Sequence, residues 1–100
     1  MRKIEQQMIT AIVKRQDWNK DNTAVYYIPA TESGNPHGAR SEIKLHNNII
    51  AEMWYESGKL EVNVAMLKRY PTPTTKSRLR ALNVNVSTKR GVTYLNNEAI

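Results

Sequence analysis

One hundred residues without a cysteine suit a single domain able to bury about two-thirds of its unfolded surface, and they rule out disulfides and thiolate metal sites. Hydrophobic residues make up 40% but include no Phe, and nowhere do 18 apolar residues run together, so the expected core is modest and aliphatic and no membrane helix is expected. The net charge of +6 is concentrated, because residues 62 to 97 hold seven Lys and Arg and no Asp or Glu, whereas the rest has eight basic against nine acidic residues.

The opening stretch MRKIEQQMITAIVKRQ lacks the apolar h-region of a signal peptide, so a soluble, non-exported protein is expected. Ile4, Met8, Ala11 and Ile12 recur at helical spacing and predict a helix from Lys3 to Arg15. Asp17, Asn19, Asp21 and Asn22 then favour side-chain-to-backbone bonds and turn the chain, with Trp18 folding back onto the helix as core. Thr23 to Ile28 is β-branched and aromatic, hence a strand, ended by Pro29. A loop follows from Ala30 to Arg40, carrying Gly34, Pro36, His37 and Gly38.

Ser41 to His46 alternates and pairs with Ile49 to Glu56 through a tight hairpin at Asn47-Asn48, whose two residues tolerate the left-handed backbone it needs. Ser57-Gly58-Lys59 makes a second turn, and Leu60 to Leu67 alternates as a further strand. Pro71 and Pro73 break the sheet. Thr74 or Thr75 then caps a short helix from Lys76 to about Leu82, and Val84 to Thr88 and Val92 to Asn96 form a final hairpin around Lys89-Arg90-Gly91. The expected fold is one α+β domain over residues 1–100, with an N-terminal helix, an antiparallel sheet of about five strands, and a short second helix before a C-terminal hairpin.

The basic segment supplies the candidate site. On a helical wheel Thr75, Leu79 and Leu82 face the sheet, while Thr74, Ser77 and Ala81 form a strip of small side chains flanked by Arg78 and Arg80. Such a strip lets two guanidiniums approach a phosphate backbone. Lys68 and Arg69 before the helix, Lys76 in its first turn, and Lys89 and Arg90 at the hairpin tip complete a set of seven cations for phosphate contact, provided the three groups share one face. The first turn, with Thr74, Thr75 and Lys76, is a candidate anion site; its plain alternative is a threonine-capped helix with solvated lysines. Trp54, on the parity of Glu52 and Glu56, is a candidate protein interface if not simply buried. His37 and His46 read as surface histidines. No nucleophile triad, paired-carboxylate site, Gly-rich phosphate loop or metal-ligand set is present in the pattern, so no enzyme activity and no cofactor are expected.

Three phrases, LHNNIIAE (45 to 52), PTPTTKSRLRAL (71 to 82) and STKRGVTYLN (87 to 96), follow an opening helix like MRKIEQQMITAIV and together resemble a family of small uncharacterised proteins encoded by tailed bacteriophages. The resemblance implies a phage accessory protein made in the cytoplasm of the bacterial host, and it carries over no catalytic or binding residue. The loop TESGNPHG (31 to 38) is longer than such proteins lead one to expect.

The expected function is nonenzymatic binding of DNA or RNA through the basic C-terminal surface, largely independent of sequence, because no set of Asn, Gln and Arg is spaced for base readout. The alternatives are a protein that binds and modulates a host protein, through the same patch or through Trp54, and a self-associating module in which an unpaired edge strand makes a homodimer.

Overall fold

Helix α1 (Lys3–Lys14) buries Met8, Ala11 and Ile12, the stripe its spacing predicts, and ends where Arg15 turns into the left-handed region at φ 54°. The structure is a computed structural model and describes residues 1–33 and 38–100; His37 and most of the loop around it lie outside the described residues. Instead of a simple turn after α1, Trp18–Lys20 forms a short strand β1 that pairs Trp18 with Val25. Trp18 is half-buried against the core, as the pattern of a large aromatic beside an amphipathic helix suggests.

Strand β2 (Thr23–Ile28) has the predicted limits, and a one-turn helix α2 (Ala30–Ser33) starts the following loop. Strands β3 (Arg40–Leu45), β4 (Asn48–Trp54) and β5 (Lys59–Val62) complete an antiparallel meander in the order β1-β2-β3-β4-β5. The tight turn sits one residue earlier than expected: His46 and Asn47, at φ 51° and 66°, take the left-handed positions, and Leu45 pairs with Asn48. A shift of register between Ile43 and Lys44 then lets both Ile50 and Ala51 reach the core, and returns Glu52 and Trp54 to the outer face opposite Glu42 and Arg40.

The strand expected from Leu60 to Leu67 stops at Val62. Asn63 ends it and opens helix α3 (Val64–Arg69): its amide Nδ2 donates to the Ile49 carbonyl of β4 at 2.9 Å, while its Oδ1 accepts from the Met66 N–H at 3.1 Å. A four-residue apolar run reads equally as alternation or as helix, and the cap decides it. Helix α4 (Pro73–Ala81) is likewise longer than expected, because Thr72, not Thr74 or Thr75, is its N-cap and Pro73 occupies the first helical position. The last segment, β6 (Val86–Lys89), β7 (Val92–Leu95) and β8 (Glu98–Ala99), forms its own three-stranded sheet.

The helices pack on the inner face of the five-stranded sheet around Val25, Ile43, Ala51, Leu67 and Leu79, all at most 1% exposed. One polar contact passes through this interior. The buried Glu5 carboxylate of α1 accepts from the Arg78 Nη1 of α4 at 2.9 Å and from the Ser77 hydroxyl at 2.6 Å, and the Arg78 Nε donates to the Thr23 hydroxyl of β2 at 3.0 Å. Burial by itself raises the Glu5 pKa, but the Ser77 and Arg78 hydrogen bonds and the Arg78 charge outweigh it and hold the carboxyl below its ordinary value.

Removing one member of such a pair leaves the other charge buried and alone, at a cost of about 3–5 kcal/mol. Glu5→Gln should therefore lower the urea midpoint strongly, whereas Glu5→Leu combined with Arg78→Met should be less destabilised than either single change; equal additivity in denaturation would contradict the pairing. The depressed Glu5 pKa fixes the sign with pH. Its stabilisation is fully present above the unfolded-state value near 4.5 and is lost as the pH falls through the lower folded value. Thermal melts between pH 7 and 2.5 should thus show a smaller acid-induced decline in Glu5→Gln than in the natural chain.

Candidate functional site

The seven cations of residues 62–97 divide by what surrounds α4. Arg78 is 4% exposed and Lys76 is 6% exposed, so neither flanks an open strip. The expectation that Ser77, Arg78 and Arg80 present a phosphate-facing surface fails for the first two because α1 lies along that side of α4 and Glu5 engages both. A wheel assigns directions to side chains; it does not say which of them meet a neighbouring helix. Lys76 faces the C-terminal sheet, where its Nζ donates to the Thr88 hydroxyl of β6.

The candidate anion site at the start of α4 also separates. Thr75 is buried, with its hydroxyl 3.0 Å from that of Thr72, and Lys76 points to Thr88. Thr74 and the buried Thr75 both line a 440 Å³ pocket with His46, Tyr70 and Thr72, and Lys76 does not. The Thr75 N–H is satisfied by the Thr72 cap. What the sequence offers as a convergent trio is a capped helix start whose side chains diverge.

The other five cations, Lys68, Arg69, Arg80, Lys89 and Arg90, are exposed. Their relative positions follow from how the C-terminal hairpin packs. Cross-strand pairs Val86–Leu95 and Thr88–Thr93 put one face of the hairpin against α4, where Lys76 bonds Thr88 and the Arg80 Nε donates to the Val86 carbonyl at 2.9 Å. The turn is the two-residue Arg90-Gly91, at φ 52° and 79°, tighter than the expected three- or four-residue loop. On the near side of the tip, Gly91, Val92 and Thr93 face Lys68 and Pro71 across a groove of 400 Å³, with Ile100 in its wall. Lys68 of the pre-helix pair and the residues just after the hairpin tip therefore line one groove, with Arg69 next to the first and Lys89 and Arg90 next to the second in sequence, and Arg80 anchors the hairpin to the helix.

Two aromatics that the sequence reading passed over accompany these cations. The Arg69 guanidinium carbon lies 5.5 Å from the centroid of the exposed Tyr70 ring, and the Lys89 Nζ lies 5.9 Å from that of Tyr94. A two-residue turn puts Lys89, Val92 and Tyr94 on one face of the hairpin, so recognising Arg90-Gly91 as the whole turn is the signal that finds them.

The outer face of the five-stranded sheet is organised differently. Arg40 lies 3.0 Å from Glu52 and 3.7 Å from Glu42, with its guanidinium carbon 5.2 Å from the Trp54 ring centroid, and the Lys44 Nζ sits 4.7 Å from the Tyr26 ring. Trp54 is half-buried beneath Arg40 within a balanced set of charges. Among the described residues no group of three or more His, Asp or Glu is arranged to hold a metal ion, and no helix is long and apolar enough to cross a membrane.

No curated protein and no solved structure matches this chain. A family model does, over residues 1–100, and it identifies the chain as a member of the Kyanoviridae Gp96 protein family, a family of phage proteins.

Proposed function

We propose that this phage protein binds nucleic acid without catalysis, through phosphate contacts from Lys68, Arg69, Arg80, Lys89 and Arg90. The observation that supports the reading is a groove lined by Lys68 on one side of the segment and by Gly91, Val92 and Thr93, which follow Lys89 and Arg90, on the other, in a stretch of chain that holds no acidic residue. Lys76 and Arg78 drop out of the contact set because both are buried and bonded inside the protein. Their role is to hold the five exposed cations in place, which makes them positioning residues.

Five cations opposite a polyanion gain chiefly from counterion release, a term that carries no sequence information. The reading of a host-protein surface centred on Trp54 is weakened by Arg40, which already covers that ring and is itself bound to Glu52. The polyanion is DNA or RNA, since both carry the phosphates that these cations meet.

Binding of a labelled oligonucleotide should lose roughly 250-fold in affinity between 50 and 200 mM salt, with a log-log slope of about −4 for five phosphate contacts. Lys89→Glu together with Arg90→Glu should abolish much of that affinity while leaving the thermal midpoint nearly unchanged, since both are exposed at the tip. The two arginines of α4 should part company: Arg80→Ala weakens binding with modest loss of stability, whereas Arg78→Ala unfolds the protein. Absence of any binding at 20 mM salt would overturn the proposal.

A further inference from the structure

Resting on the nucleic-acid reading above, we infer that the partner is a single strand, its backbone held at the groove between Lys68 and the hairpin tip and one of its bases stacked on Tyr94. The groove is nucleotide-sized: 400 Å³ falls at the small end of the range of about 300–1,000 Å³ for clefts that take one small molecule. A duplex instead presents two strands across a major groove about 12 Å wide, and the usual β device for entering it is a ribbon. Here the Val86, Thr88, Thr93 and Leu95 face of the hairpin is committed to α4 through the Lys76–Thr88 and Arg80–Val86 bonds. The other face, with Lys89, Val92 and Tyr94, makes neither of these bonds.

That face has the parts a single strand needs. Val92 is 40% exposed and belongs both to the groove wall and to the face that carries Lys89 and Tyr94. Tyr94 follows Val92 by two strand positions, roughly 7 Å on the same side. A strand leaving the groove over Val92 therefore passes the Tyr94 ring. The exposed Lys89 Nζ, which lies 5.9 Å over that ring and has no carboxylate partner among the described residues, moves to a phosphate as a base takes its place, unlike Arg40 over Trp54, which Glu52 holds. Tyr94 is half-buried, and in β8 the small residue Ala99 stands opposite it, while Glu98 pairs with Leu95 and so projects to the opposite face of the little sheet. The nearest acidic residue in sequence is thereby turned away from the stacking surface. Cations that track phosphates beside an aromatic face are how proteins hold unpaired strands without reading their sequence.

The test uses the full chain and three labelled probes at 50 mM salt in fluorescence anisotropy: a thymidine 12-mer, a 12-base-pair duplex, and an abasic 12-mer that keeps the phosphates and lacks the bases. The 12-mer should bind at least tenfold more tightly than the duplex and roughly tenfold more tightly than the abasic strand, in keeping with one stacked base. Tyr94→Leu should lower affinity for the thymidine strand alone by a similar factor, and Tyr94→Phe should restore it. Duplex binding as tight as single-strand binding overturns the single-strand assignment and leaves phosphate binding standing. Equal affinity for the abasic and thymidine strands overturns the stacking role even if Tyr94→Leu fails to fold. No binding of any probe overturns both this inference and the reading it rests on.

Discussion

The Glu5–Arg78 ion pair joins residues 73 positions apart and sits where the first helix, the second strand and the fourth helix meet. A guanidinium in that place cannot be left alone, because an unpaired buried charge costs several kcal/mol. Arg78 spends one N–H on Glu5 and another on Thr23, and Ser77 adds a second donor to the same carboxylate oxygen. The pair therefore fixes the rotation of α4 about its own axis. Once Arg78 faces α1, Lys76 and Arg80 must face elsewhere, and both turn toward the C-terminal hairpin, where Thr88 and the Val86 carbonyl receive them. One internal contact thus determines which cations of the basic segment reach solvent.

This is also where reading the sequence succeeds and where it stops. Helix α1, strand β2 and the two large hairpins are legible because their signals are local: apolar residues at helical spacing, a β-branched run, and turn residues able to adopt positive φ. The turn at His46-Asn47 is displaced by one residue because three consecutive residues, His46 to Asn48, offer acceptable turn chemistry, and only the pairing of Leu45 with Asn48 selects among them. Helix α3 is missed because Val64 to Leu67 fits both periods, and the amide of Asn63, which ends a strand and caps a helix at once, is a tertiary decision. Thr72 followed by Pro73 was in principle readable as cap and first helical residue. The burial of Arg78 was not, although one clue existed: Glu5 lies a turn before Ile9 and Ile12, on the edge of the apolar stripe of α1, where a carboxylate needs a partner.

The two surfaces of the molecule treat charge in opposite ways. On the outer sheet face the Arg40 cation is matched within the face itself, by Glu42 and Glu52. Half-buried surface pairs of this kind contribute little to stability, about 1 kcal/mol each, yet they flatten the local potential. Among the described residues no carboxylate pairs with Lys68, Arg69, Lys89 or Arg90, and the companions of Arg69 and Lys89 are aromatic rings, which attract a cation without cancelling its charge. The formal +6 is therefore a property of one end of the protein more than of the whole.

Distance makes that distinction matter. At physiological salt a charge is screened beyond about 8 Å, so the near-neutral remainder of the chain neither weakens nor reinforces the field at the groove. What sets the field there is how closely the exposed cations are held, and that depends on the hairpin staying against α4. The two contacts that hold it, Lys76 to Thr88 and Arg80 to Val86, draw on the same run of basic residues that supplies the surface. Some of the positive charge in the segment is thus used to position the rest, which is why a count of lysines and arginines overstates the size of the surface and a map of their partners recovers it.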